Sequence, residues 1–130
     1  MKRIVIVDDE RPIADGVGFL LRAPGREVVV TYCGDDALKA VHERIPDLLI
    51  TDVMMPHMSG LEVIATLRAA AATKELPIII LTAKGRAQDT TAAKETWGAS
   101  VVAKPFQPAR LRDLVARMLG DVPAPAPAMT

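Results

Sequence analysis

The chain has 130 residues, 50% apolar and 25% charged, with Lys+Arg and Asp+Glu both at 16. That length suits one domain with a real core, and zero net charge offers no electrostatic grip on nucleic acid or anionic lipid. The lone cysteine, Cys33, excludes an intrachain disulfide and fits a reducing compartment, and no apolar run approaches the roughly 20 residues of a membrane span.

Met1-Lys2-Arg3 opens like a signal peptide. However, Ile4–Val7 is too short for its apolar region, and Asp8-Asp9-Glu10 follows at once. The expectation is a soluble cytoplasmic protein. Ile4-Val5-Ile6-Val7 is β-branched throughout and predicts the first strand. Pro12 suits the first turn of a helix over 11–23, with Ile13, Val17, Leu20 and Leu21 at helical spacing. Gly16 and Gly18 weaken that helix and Pro24-Gly25 stops it. Val28–Thr31 is the second strand. Asp35 is expected to cap a helix carrying Ala37, Leu38, Val41 and Ile45, which Pro46 ends.

Leu48-Leu49-Ile50-Thr51 runs straight into Asp52. A short apolar run of this kind reads as a strand buried on both faces, with the Asp52 carboxylate at its C-terminal end. Ser59 precedes Glu62 by three residues and predicts a helix start, the helix running to about Ala72. Pro77–Thr82 is the fourth strand, Gly85–Trp97 a weaker helix ended by Gly98, and Val101–Ala103 a short fifth strand. The last helix starts near Gln107-Pro108, buries Leu111, Leu114, Val115, Met118 and Leu119, and ends at Gly120. Residues 121–130 alternate Pro and Ala and read as an extended or disordered tail or linker. The domain is therefore 1–120.

Five strands alternating with five helices predict an α/β fold: a parallel sheet, doubly wound by right-handed crossovers, with helices on both faces. In such sheets ligands bind beyond the strands' C-terminal ends. Asp8 and Asp9 follow the first strand, Asp52 the third, Thr82 the fourth and Lys104 the fifth. The topology gathers them at one edge. Carboxylates crowded to about 4 Å repel by roughly 4 kcal/mol per pair at an effective dielectric near 20. Either some are protonated or a cation sits among them. Hard oxygen ligands too few for a calcium cage fit Mg²⁺. Asp52 then reads as a carboxylate nucleophile forming an acyl phosphate, with Thr82 a hydroxyl donor and Lys104 a second positive charge.

The chain resembles the receiver domain of two-component response regulators. The resemblance rests on Val5-Ile6-Val7-Asp8-Asp9-Glu10, Asp52-Val53-Met54-Met55-Pro56 with Gly60, Leu81-Thr82-Ala83-Lys84, and Lys104-Pro105-Phe106. It covers residues 1 to about 120. It implies a flavodoxin-like (βα)5 fold whose Asp52 accepts a phosphoryl group from a sensor histidine kinase or phosphotransfer protein. It further implies Mg²⁺ held directly by Asp9, Asp52 and the Met54 carbonyl, with Asp8 acting through water. Thr82 would then bond the phosphoryl group and Lys104 pair with it. Ala83 matches the position that must be small, and the Lys104-Pro105 peptide is expected to be cis. Met54 and Lys84 match the variable positions that tune dephosphorylation. Met54 is apolar and cannot orient a water, so slow self-hydrolysis is expected.

Two features depart from the family pattern. Relatives carry an aromatic residue three positions before the strand-five lysine, where this chain has Val101. Gly98-Ala99-Ser100-Val101 is also one residue short. Coupling from Thr82 to the fourth-helix/fifth-strand surface is therefore expected to be weak or to use another residue.

Simpler readings compete at single positions. Asp8 and Asp9 could cap the first helix, Thr82 could be an ordinary strand residue, and Lys104 a solvated one. Met54, Met55 and Met58 read as packing rather than a soft-metal site. His42 reads as surface, Cys33 as a small buried or half-buried residue, and His57 as non-catalytic. Two rival functions compete with this reading. An aspartyl phosphatase would place a second Asp two positions after Asp52, where this chain has Met54. A flavin or nucleotide module needs a glycine- or hydroxyl-rich phosphate loop after strand one, where Asp8-Asp9-Glu10 would repel phosphate. The reading is thus a phosphoacceptor signalling domain rather than an enzyme, a monomer or weak homodimer that docks to a downstream protein. No direct nucleic-acid or membrane binding is expected. Nothing after Gly120 reads as an output domain, so the chain is either a stand-alone receiver or one cut from a longer regulator.

Overall fold

A computed structural model describes residues 1–83 and 98–120. The expected helix over 85–97, Lys84 and the Pro/Ala tail lie outside the described residues. The elements are β1 (Lys2–Val7), α1 (Arg11–Leu21), β2 (Arg26–Thr31), α2 (Gly34–Glu43), β3 (Leu48–Asp52), α3 (Gly60–Ala69), β4 (Ile78–Ala83), β5 (Ser100–Lys104) and α4 (Pro108–Met118). The five strands form one sheet in the order β2-β1-β3-β4-β5, with every pairing parallel.

Strand alternation divides the core in two. Val5, Val7, Leu49, Ile78 and Ile80 face one side and pack with Ala37 and Val41 of α2 and Val63, Ile64 and Leu67 of α3. Ile4, Ile6, Leu48, Ile50, Ile79 and Leu81 face the other and pack with Val17 and Leu21 of α1 and Leu111 and Val115 of α4. Each fully buried Ile or Leu contributes about 1.5–3 kcal/mol. Central strands covered on both faces have no polar alternation, which is why β3 is buried at all five positions. The edge strands β2 and β5 are half-buried over most of their length.

The helix ends differ from the sequence expectation. α1 ends at Leu21 rather than 23, because Arg22 is already extended, ahead of Pro24. Asp35 does not cap α2: the N-cap is Cys33, and Asp35 sits in the first turn. That helix ends at Glu43, so Ile45 is exposed rather than core. Its last carbonyls are taken by Arg3, whose guanidinium donates to Ala40 O at 3.0 Å, Arg44 O at 3.0 Å and Glu27 Oε1 at 2.6 Å. Helix α3 ends at Ala69 rather than Ala72. Thr73 Oγ1 turns back to donate to Leu67 O at 2.6 Å, satisfying one of its orphan carbonyls.

Two glycines permit close approaches. A Cβ on Gly18 would stand 2.6 Å from Val30 Cγ2, so a residue that weakens α1 also lets it lie against β2. A Cβ on Gly60 would overlap the Asp52 carbonyl oxygen. Between Asp52 and Gly60 the chain turns tightly. His57 has φ +68° and Met58 N–H donates to Pro56 O at 2.7 Å, a γ-turn. Ser59 Oγ then accepts from Glu62 N at 3.2 Å and starts α3, as its spacing predicted.

Candidate functional site

The strand order reverses direction between β1 and β3, the switch point at which open α/β sheets bind ligands. Asp8 immediately follows β1, and Asp52 is the last residue of β3. Thr82 lies at the end of β4, opposite Ala103, and Lys104 closes β5 opposite Ala83. Asp8, Asp52 and Thr82 are all buried, at 1%, 7% and 4% exposure. Burial of this kind selects polar groups that have partners.

The partners are specific. Lys104 Nζ donates to Asp8 Oδ2 at 2.9 Å, lies 3.4 Å from Asp52 Oδ2 and stands 3.9 Å from Glu10 Oε1. Asp52 Oδ1 accepts from Val53 N at 2.7 Å, and Asp8 Oδ1 accepts from Glu10 N at 2.9 Å. Each buried carboxylate thus has one oxygen fixed by backbone and the other facing the lysine. Among the described residues the Thr82 hydroxyl has only a long contact, 3.5 Å to Ala83 O. It is the least committed polar group of the four.

Charge in the site is finely opposed. Burial pushes the Asp52 carboxyl above the usual carboxylate range. The Lys104 charge and the Val53 N–H pull it down, and the Asp8 charge pushes it up. Burial would lower the Lys104 ammonium, but its bonds and charge interactions with Asp8 and Asp52 outweigh that and hold it above its ordinary value.

Asp8, Glu10 and Asp52 each offer a carboxylate oxygen, and these atoms lie within 4.8 Å of one another. The donor set is oxygen only and bears three negative charges against one lysine. Such a set fits a hard divalent cation such as Mg²⁺. The structure does not bring Asp9 into this group. Asp9 is exposed, whereas Asp8 and Glu10 join Asp52. Glu10 was missed in the sequence because the third acid of an acidic run before a helix reads as a helix-start residue. Met54 is exposed, with Val53 and Met55 buried on either side. The Lys104–Pro105 peptide is cis.

Residues 4–116 match the response regulator receiver domain. The chain belongs to that family. It is 38% identical over 117 residues to the phosphate regulon transcriptional regulatory protein PhoB of Klebsiella pneumoniae, covering 90% of this chain and 50% of that protein. This receiver domain therefore spans about half the length of that curated relative. Among solved structures it is similar to a candidate response regulator from Chloroflexus aurantiacus, with TM-score 0.83 and 36% identity over 92% of this chain and 98% of the other. It is also similar to the receiver domain of NtrX from Brucella abortus, with TM-score 0.81 and 29% identity over 92% and 99%. The five-stranded parallel sheet is the fold these relatives share.

Ala83 and Lys104 also border an apolar groove of about 780 Å³ between α1 and the β5–α4 loop, walled by Ile13, Phe19, Pro105 and Phe106. Phe19 is 78% exposed there. Val101 pairs with Ile80 in register and is half-buried against the α2/α3 side of the core. No helix among the described residues is long and apolar enough to cross a membrane.

Proposed function

We propose that Asp52 accepts a phosphoryl group from the phosphohistidine of a sensor kinase or phosphotransfer protein, in a Mg²⁺-dependent reaction, and that this switches docking to a downstream protein. The observation that carries the reading is the Lys104 ammonium, held among Asp8, Asp52 and Glu10 at the switch point. One Asp52 carboxylate oxygen attacks phosphorus, the phosphorus–nitrogen bond breaks, and the imidazole leaves with the electron pair and takes up a proton. Asp52 Oδ1 is held by Val53 N–H, which leaves Oδ2 as the reacting atom. Magnesium, when bound, neutralises the phosphoryl oxygens against the surrounding carboxylates. Asp9 and Asp52 would hold it directly with the Met54 carbonyl from the β3–α3 loop, and Asp8 would act through a bound water. Lys104 transfers part of its pairing from Asp52 to a phosphoryl oxygen. The Thr82 hydroxyl, weakly bonded at rest, becomes a donor to another.

The donor approaches over the groove between α1 and the β5–α4 loop, whose apolar wall ends at Ala83 and Lys104 beside the site. Met54 and Lys84, two positions after Asp52 and Thr82 in the sequence, set the lifetime of the product. With Val101 in place of an aromatic ring, the Thr82 movement passes to β5 through the Thr82–Ala103 and Ile80–Val101 pairs. The reading places the protein in the cytoplasm, with no direct contact to nucleic acid. Incubation with acetyl phosphate and Mg²⁺ tests it. One phosphoryl equivalent per chain, released by hydroxylamine as an acyl phosphate would be, supports the reading. Turnover of a small phosphate ester beyond one equivalent per chain would instead show an aspartyl phosphatase.

A further inference from the structure

We propose that Thr51 is a positioning residue for phosphorylation: its hydroxyl orients the Asp52–Val53 peptide, and that peptide holds the Asp52 carboxylate. The inference rests on the reading that Asp52 accepts the phosphoryl group, and adds the residue that aims it. Thr51 is fully buried, at 0% exposure, in a strand otherwise apolar up to Asp52. By strand alternation it faces the α2/α3 side together with Leu49 and Val53. A hydroxyl in such a place is costly unless it is bonded. Its bond runs to the phosphoacceptor itself: Thr51 Oγ1 donates to the Asp52 carbonyl oxygen at 2.9 Å.

That carbonyl belongs to the same peptide group as the Val53 N–H, and Val53 N donates to Asp52 Oδ1 at 2.7 Å. A peptide group is planar, so its C=O and N–H turn together. Fixing the carbonyl from Thr51 therefore fixes the direction of the N–H, and with it the carboxylate. Oδ1 is held, and Oδ2 is left 3.4 Å from Lys104 Nζ. The hydroxyl is itself confined. A Cβ on Gly60 would stand 3.1 Å from Thr51 Oγ1 as well as overlapping the Asp52 carbonyl oxygen, so the start of α3 closes over both. A valine at position 51 would keep the β-branched shape that suits the strand, but would leave the peptide free to tilt. A misaimed carboxylate oxygen slows attack without changing how the phosphodonor binds.

The test follows the phosphoryl adduct over time by intact mass, on the whole chain, in Mg²⁺ and varied acetyl phosphate. It compares wild type with Thr51→Val and Thr51→Ser. Thr51→Val is expected to lower the maximal rate about three- to tenfold, the worth of one hydrogen bond, with the half-saturating acetyl phosphate concentration unchanged. Thr51→Ser keeps the hydroxyl and is expected to recover most of the wild-type rate. In metal-free protein the Val53 amide proton resonance should move in Thr51→Val and hold its place in Thr51→Ser. A folded Thr51→Val with the wild-type rate or an unmoved Val53 resonance overturns the role of Thr51 and leaves the Asp52 reading intact. If Thr51→Val does not fold, Thr51→Ser decides alone: a rate near wild type supports the role, and a severalfold fall overturns it. No adduct on wild type overturns the Asp52 reading itself.

Discussion

Lys104, the last residue of β5, donates its ammonium to Asp8 beyond the end of β1 at 2.9 Å, so one ion pair bridges the sheet across β3 and β4. The Asp8 side chain is 2% exposed and that of Lys104 15%. Removing the lysine strands a buried carboxylate beside another. Lys104→Met should destabilise the metal-free protein by about 3 kcal/mol. Mg²⁺ should restore part of that loss by supplying the missing positive charge. Urea melts with and without Mg²⁺ check both statements, and a variant as stable as wild type without metal would contradict the charge balance.

The raised Asp52 carboxyl gives a pH dependence with a definite sign. Its folded-state pKa lies above its unfolded value, so the folded chain holds this proton more tightly than the unfolded chain does. Stability from this group is therefore greatest at low pH. It falls as pH rises from the ordinary carboxylate range, about 4, through the raised folded value. Asp52→Asn removes the penalty. Without metal, the variant should melt above wild type at neutral pH, and the gap should close toward the acid end. Thermal melts across pH 4 to about 8 measure it, and a variant that melts lower at neutral pH would contradict the burial cost.

Gly60 opens α3 directly beneath the carbonyl of Asp52. Any Cβ there overlaps that oxygen, while the Gly60 N–H donates to Val53 O at 2.8 Å. Gly60→Ala should cost about 2–3 kcal/mol and displace the end of β3, lowering the rate of phosphorylation as well. Equilibrium unfolding and acetyl phosphate kinetics should fall together. Loss of neither would mean that the loop relaxes freely.

Much of this was legible in the sequence, for physical reasons. Strands buried on both faces leave unbroken apolar runs, so β1, β3 and β4 could be read directly, and with them the positions of Asp8, Asp52 and Thr82. Helix ends were less legible because distant residues set them. Arg3, which read as part of a signal-like start, closes α2 with its guanidinium and so leaves Ile45 outside the core. Thr73 does the same for α3 through the Leu67 carbonyl. That Glu10 rather than Asp9 lies beside Asp8 and Asp52 depends on how the chain leaves β1, which an acidic triplet does not encode.

Met54 is exposed two residues beyond Asp52 and carries no group able to orient a water for attack on an acyl phosphate. Phospho-Asp52 should therefore persist for minutes or longer in Mg²⁺, and Met54→Asn should shorten its life severalfold. Decay of the adduct after acetyl phosphate is removed gives both values. A wild-type lifetime of seconds would show that another residue activates the water.

The central claim is that Asp52 is the atom-accepting residue of the site. Intact-mass spectrometry after acetyl phosphate and Mg²⁺ tests it most directly, on wild type and Asp52→Asn side by side. The account predicts one phosphoryl adduct on wild type and none on the variant. An adduct on both proteins, or on neither, would contradict it.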